Sequence, residues 1–337
     1  MSKLIYTLLF LALAANFPQA LPAQDAFIYD DITSSMVPIP PAEQNLQSRE
    51  ARFFKQAADN GQTLEGALYG ANGDLFFCNV SDSEIMRLTP DGDLAVIAKI
   101  EDFSPGGLAW GKDGRLFAAG INQARRNGGI TAIDSAGTQE TIIPVDAGFM
   151  PNDLVFAPGG GFYFTDFRGS ATNPQGGVYY VSPDYKQITP VIANMAQANG
   201  VALSPDAKTL WATEYGRNLL HRVNLDSETT VPLTGSKILY HFTGPAPDSM
   251  RVDADGNVYV ALVGQGRVLI FNPAGIPIGQ VLLPNRDQGF NLRSTSLALH
   301  PDKAEMAIVS GNTREAPARA ANIFIAPSFA PAQPGIN

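Results

Sequence analysis

The sequence predicts an all-β chain wound into a six-bladed β-propeller of four-stranded antiparallel blades, and three observations carry that prediction. First, one phrase recurs six times from residue 65: a short apolar strand, a Gly/Asp turn, a second strand and a more polar hairpin. Its first strands open at Glu65, Gly106, Asn152, Asn199, Asp248 and Thr295, spaced 41, 46, 47, 49 and 47 residues apart. A period in the forties with four short strands per unit marks a propeller blade, whereas a sandwich or stacked barrels give no reason for even spacing. Second, the turns read ANGD, KDGR and DADGN, and Asn-Gly and Asp-Gly supply the positive φ that tight hairpins need. Third, with 32 Gly, 25 Pro and 16% charged residues, the composition favours many short strands over helices.

Each part of the chain then takes its place in order. Met1 to Ala23 has one lysine, an apolar stretch from Leu4 to Ala15 and small residues before Gln24, the layout of a secretory signal peptide. The apolar part is too short for a stable membrane span, so an exported protein, periplasmic or extracellular, is expected. Residues 24–325 make the propeller. Because a ring must join its ends to avoid open edges, part of 24–60 is expected to give a strand to the last blade. Residues 326–337, rich in Pro and Ala, read as a loose tail. Cys78 is the single cysteine, which excludes an internal disulfide, and it reads as a buried, inert thiol in LFFCNV. The net charge of −9 with no Lys/Arg cluster argues against nucleic acid as a partner.

In a propeller the innermost strand of every blade lines the central channel, so residues at one register gather in a ring. Here that ring is Glu65, Gly106, Asn152, Asn199, Asp248 and Thr295. Glu65, Asn152, Asn199 and Asp248 bring carboxylate or amide oxygens to it, beside apolar strands. Two converging carboxylates resist burial, and a hard divalent cation resolves the conflict; calcium takes this set of oxygen ligands, and zinc would call for Cys or His. The competing reading is a polar plug hydrogen-bonded across the channel. His221, His241 and His300 lie in different repeats and read as structural. Asp253-Ala-Asp255-Gly-Asn257 reads as a hairpin turn, since the distant Glu of an EF-hand is missing. Asp166 and Glu214 close matching second strands and could line the pocket, though inter-blade hydrogen bonding is the commoner job. Phe149, Phe167, Tyr215 and Arg217 are candidates for its rim.

With these residues in hand, the chain resembles the gluconolactonase and senescence-marker-protein (regucalcin) family, and within it the drug-responsive lactonase subgroup. The resemblance is carried by LEGALYGANGDLFF, GGFYFTDFRGSATNPQGGVYYVSPDY, ANGVALSPD, LWATE, LHRV, PDSMRVDADGNVYVALVGQGRVLIFN and LRST, covering about residues 60 to 296. It implies a calcium-dependent lactonase acting on a small lactone or ester. The metal ligands matching the family are Glu65, Asn152, Asn199 and Asp248, and Asp248 matches the residue given the acid/base role. Some subgroup members carry aspartate where this chain has Asn152, and the signal peptide is a departure from a subgroup whose members resemble cytoplasmic proteins. A second, structural calcium occurs in the subgroup, but the segment SAGTQETIIPVDAGF has diverged and that site does not transfer. The alternatives are another esterase or phosphotriesterase of the same fold and a non-catalytic ligand-binding propeller; a strictosidine-synthase-like condensing enzyme is disfavoured because the metal set is complete.

Overall fold

Each repeat folds as one blade. The innermost strands are Leu64–Tyr69, Ser104–Trp110, Pro151–Phe156, Ala198–Leu203, Pro247–Val252 and Arg293–Leu299, and each pairs antiparallel with the second strand of its own repeat. The computed structural model describes residues 35–245, 247–311 and 320–334; the expected signal peptide, residues 1–23, lies outside them. The result is six antiparallel four-stranded blades in sequence around one axis, one of which takes on a further strand, the architecture the repeat predicts.

What joins the blades is apolar packing between neighbours. Six buried clusters each span one blade interface. Val155, Tyr163 and Val178 of blade 3, for example, pack on Val201, Leu210 and Ala212 of blade 4. Alternation along each strand sends one set of side chains to each adjacent blade, so both sheet faces are apolar and buried. At about 1.5–3 kcal/mol per fully buried large aliphatic or aromatic side chain, these interfaces dominate the stability of the ring.

Closure comes from both ends of the chain. Arg52–Ala58 pairs antiparallel with Ala321–Pro327 and becomes the outer strand of blade 6. Gln47–Glu50 then runs parallel to Pro277–Leu282 as a fifth strand on blade 5. The tail, expected loose from Ala326, is instead docked through Pro334. Its backbone bonds explain why: Ala332 N–H donates to His300 O, Pro331 O accepts from Ala254, and Phe329 N–H donates to the Tyr259 hydroxyl. Gln333 Nε2 donates to Leu203 O at 3.0 Å, with its side chain at the channel end among Leu68, Leu154, Val201 and Leu299. Proline-rich sequence lacks regular structure of its own, but its carbonyls and remaining N–H groups satisfy turn groups that would otherwise be buried unpaired.

Candidate functional site in the central channel

The ring residues share a backbone device. In every blade the pairing between first and second strands slips at or next to the ring position: between Glu65 and Leu68, Pro105 and Gly107, Pro151 and Leu154, Ala198 and Val201, Pro247 and Met250, and Ser294 and Ser296. A β-bulge re-aims side chains at a strand end, and here it occurs at the same level of all six blades. Second-strand hydroxyls then lock these bulges to the next blade. Thr165 Oγ1 accepts from Asp153 N–H and donates to Asn199 O, and Thr213 Oγ1 accepts from Gly200 N–H and donates to Asp248 O. Thr295, the ring residue of blade 6, spends its hydroxyl on Leu64 O beside Glu65, so it ties blades together.

Glu65, Asn152, Asn199 and Asp248 all line one cavity of about 430 Å³. Asn199 and Asp248 are buried; Glu65 and Asn152 are half-buried, their exposed surface facing that cavity. The electrostatics are those of an unbalanced site. Burial drives Glu65 well above its ordinary pKa, the charge of Asp248 adds to this, and Arg293 opposes it. Burial likewise lifts Asp248 to about 7, with the Asn199 side chain and Arg293 favouring its charged form and Asp153 disfavouring it. Asn199 Oδ1 is buried with no hydrogen-bond donor.

The site thus sets an oxygen with no hydrogen-bond donor beside two carboxylates that resist ionisation. It fits a hard divalent ion, because two negative charges and amide oxygens are what calcium prefers. Among the described residues no group of three or more His, Cys, Asp or Glu side chains converges. The candidate set therefore rests on two carboxylates completed by amides.

Two neighbours were invisible to the ring pattern. Asp153, adjacent to Asn152, turns the other way: its Oδ2 meets Arg251 Nη1 at 3.1 Å, and Arg251 also donates to Met250 O and Ala67 O. This ion pair is buried, and Arg251 also lines the small pocket that holds Gln333. Arg251, between Met250 and Val252, was the available signal, since a charge on an inward strand needs a partner. Arg293 also lines the cavity. It lies two residues before the ring position of blade 6 and belongs to no motif that register could detect.

The other candidates sort cleanly. Asp166 and Glu214 do not line the cavity; they accept the backbone N–H of Met150 and Ala196 just before their own blades' first strands. Each is backed by a base: Arg168 lies against Asp166, and His221 Nε2 sits 2.8 Å from Glu214 Oε2. Phe167 and Tyr215 form part of the wall, their rings edge-to-face at 5.6 Å, whereas Phe149 and Arg217 lie outside it. Asp253 closes a hairpin turn, its Oδ1 accepting from Asp255 and Asn257 N–H. Cys78 is buried, and burial together with the charges of Glu65 and Asp153 pushes its thiol well up, so it is inert.

Residues 45–312 match the family described as the SMP-30/Gluconolactonase/LRE-like region. The chain belongs to that family. Among its relatives, lactonase drp35 of Staphylococcus saprophyticus is 45% identical over 290 residues, covering 84% of this chain and 89% of the relative. Lactonase drp35 of Staphylococcus haemolyticus is 42% identical over 307 residues, covering 90% and 94%. In three dimensions the family fold recurs in regucalcin, a calcium-binding protein of Agrobacterium tumefaciens, at 21% identity and a TM-score of 0.67, covering 85% of this chain and 98% of that one. A gluconolactonase of Xanthomonas campestris aligns at 18% identity with a TM-score of 0.65, covering 83% and 95%.

Proposed function

We propose that this chain hydrolyses lactones, with a calcium ion held by Glu65, Asn152, Asn199 and Asp248 and with Asp248 as the acid/base. One observation carries the reading. Four oxygen-bearing side chains from four blades line one cavity, two of them as carboxylates that burial raises despite the nearby Arg293, in a chain 45% identical to a lactonase.

When bound, the ion supplies Lewis-acid polarisation of the lactone carbonyl and offsets the negative charge that develops there. The rest of the chemistry belongs to the protein. Asp248 accepts a proton on a side-chain oxygen from the attacking water. It returns that proton to the ring oxygen as the carbon–oxygen bond breaks. No fragment departs, so one hydroxy acid leaves as a single molecule. Arg293 adds a positive charge to the same wall, which suits the carboxylate of that product. Asn199 holds Asp248 toward its charged form, while the neighbouring acid Asp153 is taken up by its ion pair with Arg251.

The experiment is turnover of a panel of small lactones and simple esters with calcium and with excess chelator. Turnover that needs the ion supports the proposal; binding of calcium with no turnover of any member rejects the catalytic reading. We also propose that the protein is exported after cleavage behind Ala23, on the strength of its N-terminal sequence.

A further inference from the structure

Five of the six ring positions carry side chains; blade 2 carries Gly106. The neighbouring glycines are required by packing. A Cβ on Gly107 would meet Asn152 O at 2.5 Å, and one on Gly120 would meet Ser104 O at 2.3 Å. Gly106 is under no such constraint. Its φ is not positive, and an added Cβ would meet only Asn152 O at 3.6 Å, an ordinary contact. Neither conformation nor crowding demands glycine there, so the missing side chain is explained by what it leaves open.

Gly106 itself lines the cavity. Outside the ring, most of its wall comes from blades 1 and 2, with Phe103 and Ile121 as apolar surface and Ser83 and Ser104 as hydroxyls. The two serine oxygens lie 3.1 Å apart and bond to each other. Outside the ring, the one charged side chain that blades 1 and 2 give this wall is Glu101, an exposed acid; Arg293 comes from blade 6, which packs on blade 1. At about 430 Å³ the whole cavity lies toward the small end of ligand pockets, enough for a ring and a short substituent.

We infer that Gly106 is the specificity-determining residue of the site: it admits an uncharged substituent of the lactone ring into a lobe between blades 1 and 2. This rests on the lactonase reading above. Glu101 disfavours an anionic group in the lobe, and the apolar wall with two hydroxyls suits a short alkyl or hydroxyalkyl group.

The test compares the parent chain with Gly106→Ala and Gly106→Leu on two lactone series, one unsubstituted and one bearing neutral ring substituents of increasing length. Gly106→Leu is expected to lower kcat/KM for the substituted lactones by about tenfold or more, the scale of filling a pocket by a few methylenes, while the unsubstituted ones change less than threefold. Gly106→Ala falls between, and calorimetric calcium affinity stays at the parent value for both variants. Should the leucine variant not fold, Gly106→Ala and Gly106→Ser carry the same comparison with smaller changes. Equal loss for both series, or no change in either, overturns the inference. A parent chain that opens no lactone overturns the lactonase reading instead, and the two failures are therefore distinct.

Discussion

Thr213, on the second strand of blade 4, donates its hydroxyl to the backbone carbonyl of Asp248 in blade 5 at 2.7 Å, and the same oxygen accepts Gly200 N–H at 2.7 Å. One buried hydroxyl thus fixes two consecutive bulges, and with them the side chains of Asn199 and Asp248.

Replacing it tests positioning apart from chemistry. Thr213→Val keeps the shape but leaves a buried N–H and a buried C=O unpaired, at about 1–3 kcal/mol each. The expected outcome is a Tm several degrees lower with weaker calcium binding, both measured on one preparation. Thr213→Ser, which keeps the hydroxyl, should restore most of the calcium affinity; if it does not, the bond is not what positions the pair.

The pH dependence of the metal-free protein follows from the same site. Asp248 is lifted to about 7 in the folded state from 3.8, and Glu65 also rises. The folded state therefore holds protons that the unfolded chain has lost, so stability falls as pH rises from about 4 through 7. A cation displaces those protons, so it binds more tightly as pH rises. The Tm gained on adding calcium should be larger at pH 8 than at pH 5.5, read by thermal unfolding with chelator as the reference. An equal gain at both values contradicts the shifts.

How much of this was legible in the sequence depends on the range of the interaction involved. The blades are local: each pairs strands a few residues apart, and the Asp-Gly turns and alternating apolar residues announce them. The ring is legible because repetition converts sequence register into spatial register, which brings Glu65 and Asp248 together from 183 positions apart. Contacts outside the repeat leave no such trace. Gln333 reaching Leu203, Arg251 reaching Ala67, and Arg293 lining the ring wall all depend on where the closed ring places non-repeating residues. The tail was misread for the same reason: its order comes from the surface it covers, not from its own propensities.

Glu43 shows the cost of such a contact. It is buried against Arg267, both 1% exposed, and accepts a hydrogen bond from the Tyr240 hydroxyl. Glu43→Ala leaves the Arg267 charge buried with only Gln265 and Gln280 as partners, and breaking a buried pair costs about 3–5 kcal/mol. Chemical denaturation should show that loss, while calcium affinity stays at the parent value because blade 5's outer side is remote from the ring. A change below about 0.5 kcal/mol, the scale of a surface substitution, would show that this segment does not clamp the blade.

Processing behind Ala23 removes nothing from the described fold, whose first residue is Ser35. Intact-mass measurement of protein recovered from its native cell should give an N-terminus near Gln24, in the exported fraction. A full-length chain in the cytoplasm contradicts export.

The final prediction separates the two carboxylates of the ring. Both line the same cavity and both are raised by burial, so removal of either charge should weaken calcium binding. Only Asp248 is assigned the proton. Asp248→Asn keeps an oxygen for the ion but cannot accept a proton from water, so turnover at saturating calcium should fall by about 10²-fold or more, the scale of a lost acid–base group. Glu65→Gln loses mainly affinity, and excess calcium should restore part of its rate. Asn199→Ala should resemble Glu65→Gln, with an added loss because Asp248 is no longer held toward its charged form. Calorimetry and lactone turnover on the same samples make the comparison internal. If Asp248→Asn turns over at nearly the parent rate once calcium saturates, the proton is carried elsewhere. Asp166 and Glu214 are poor replacements, because each already accepts a backbone N–H outside the cavity. Glu65 then becomes the group to test, since it is the remaining carboxylate of the ring.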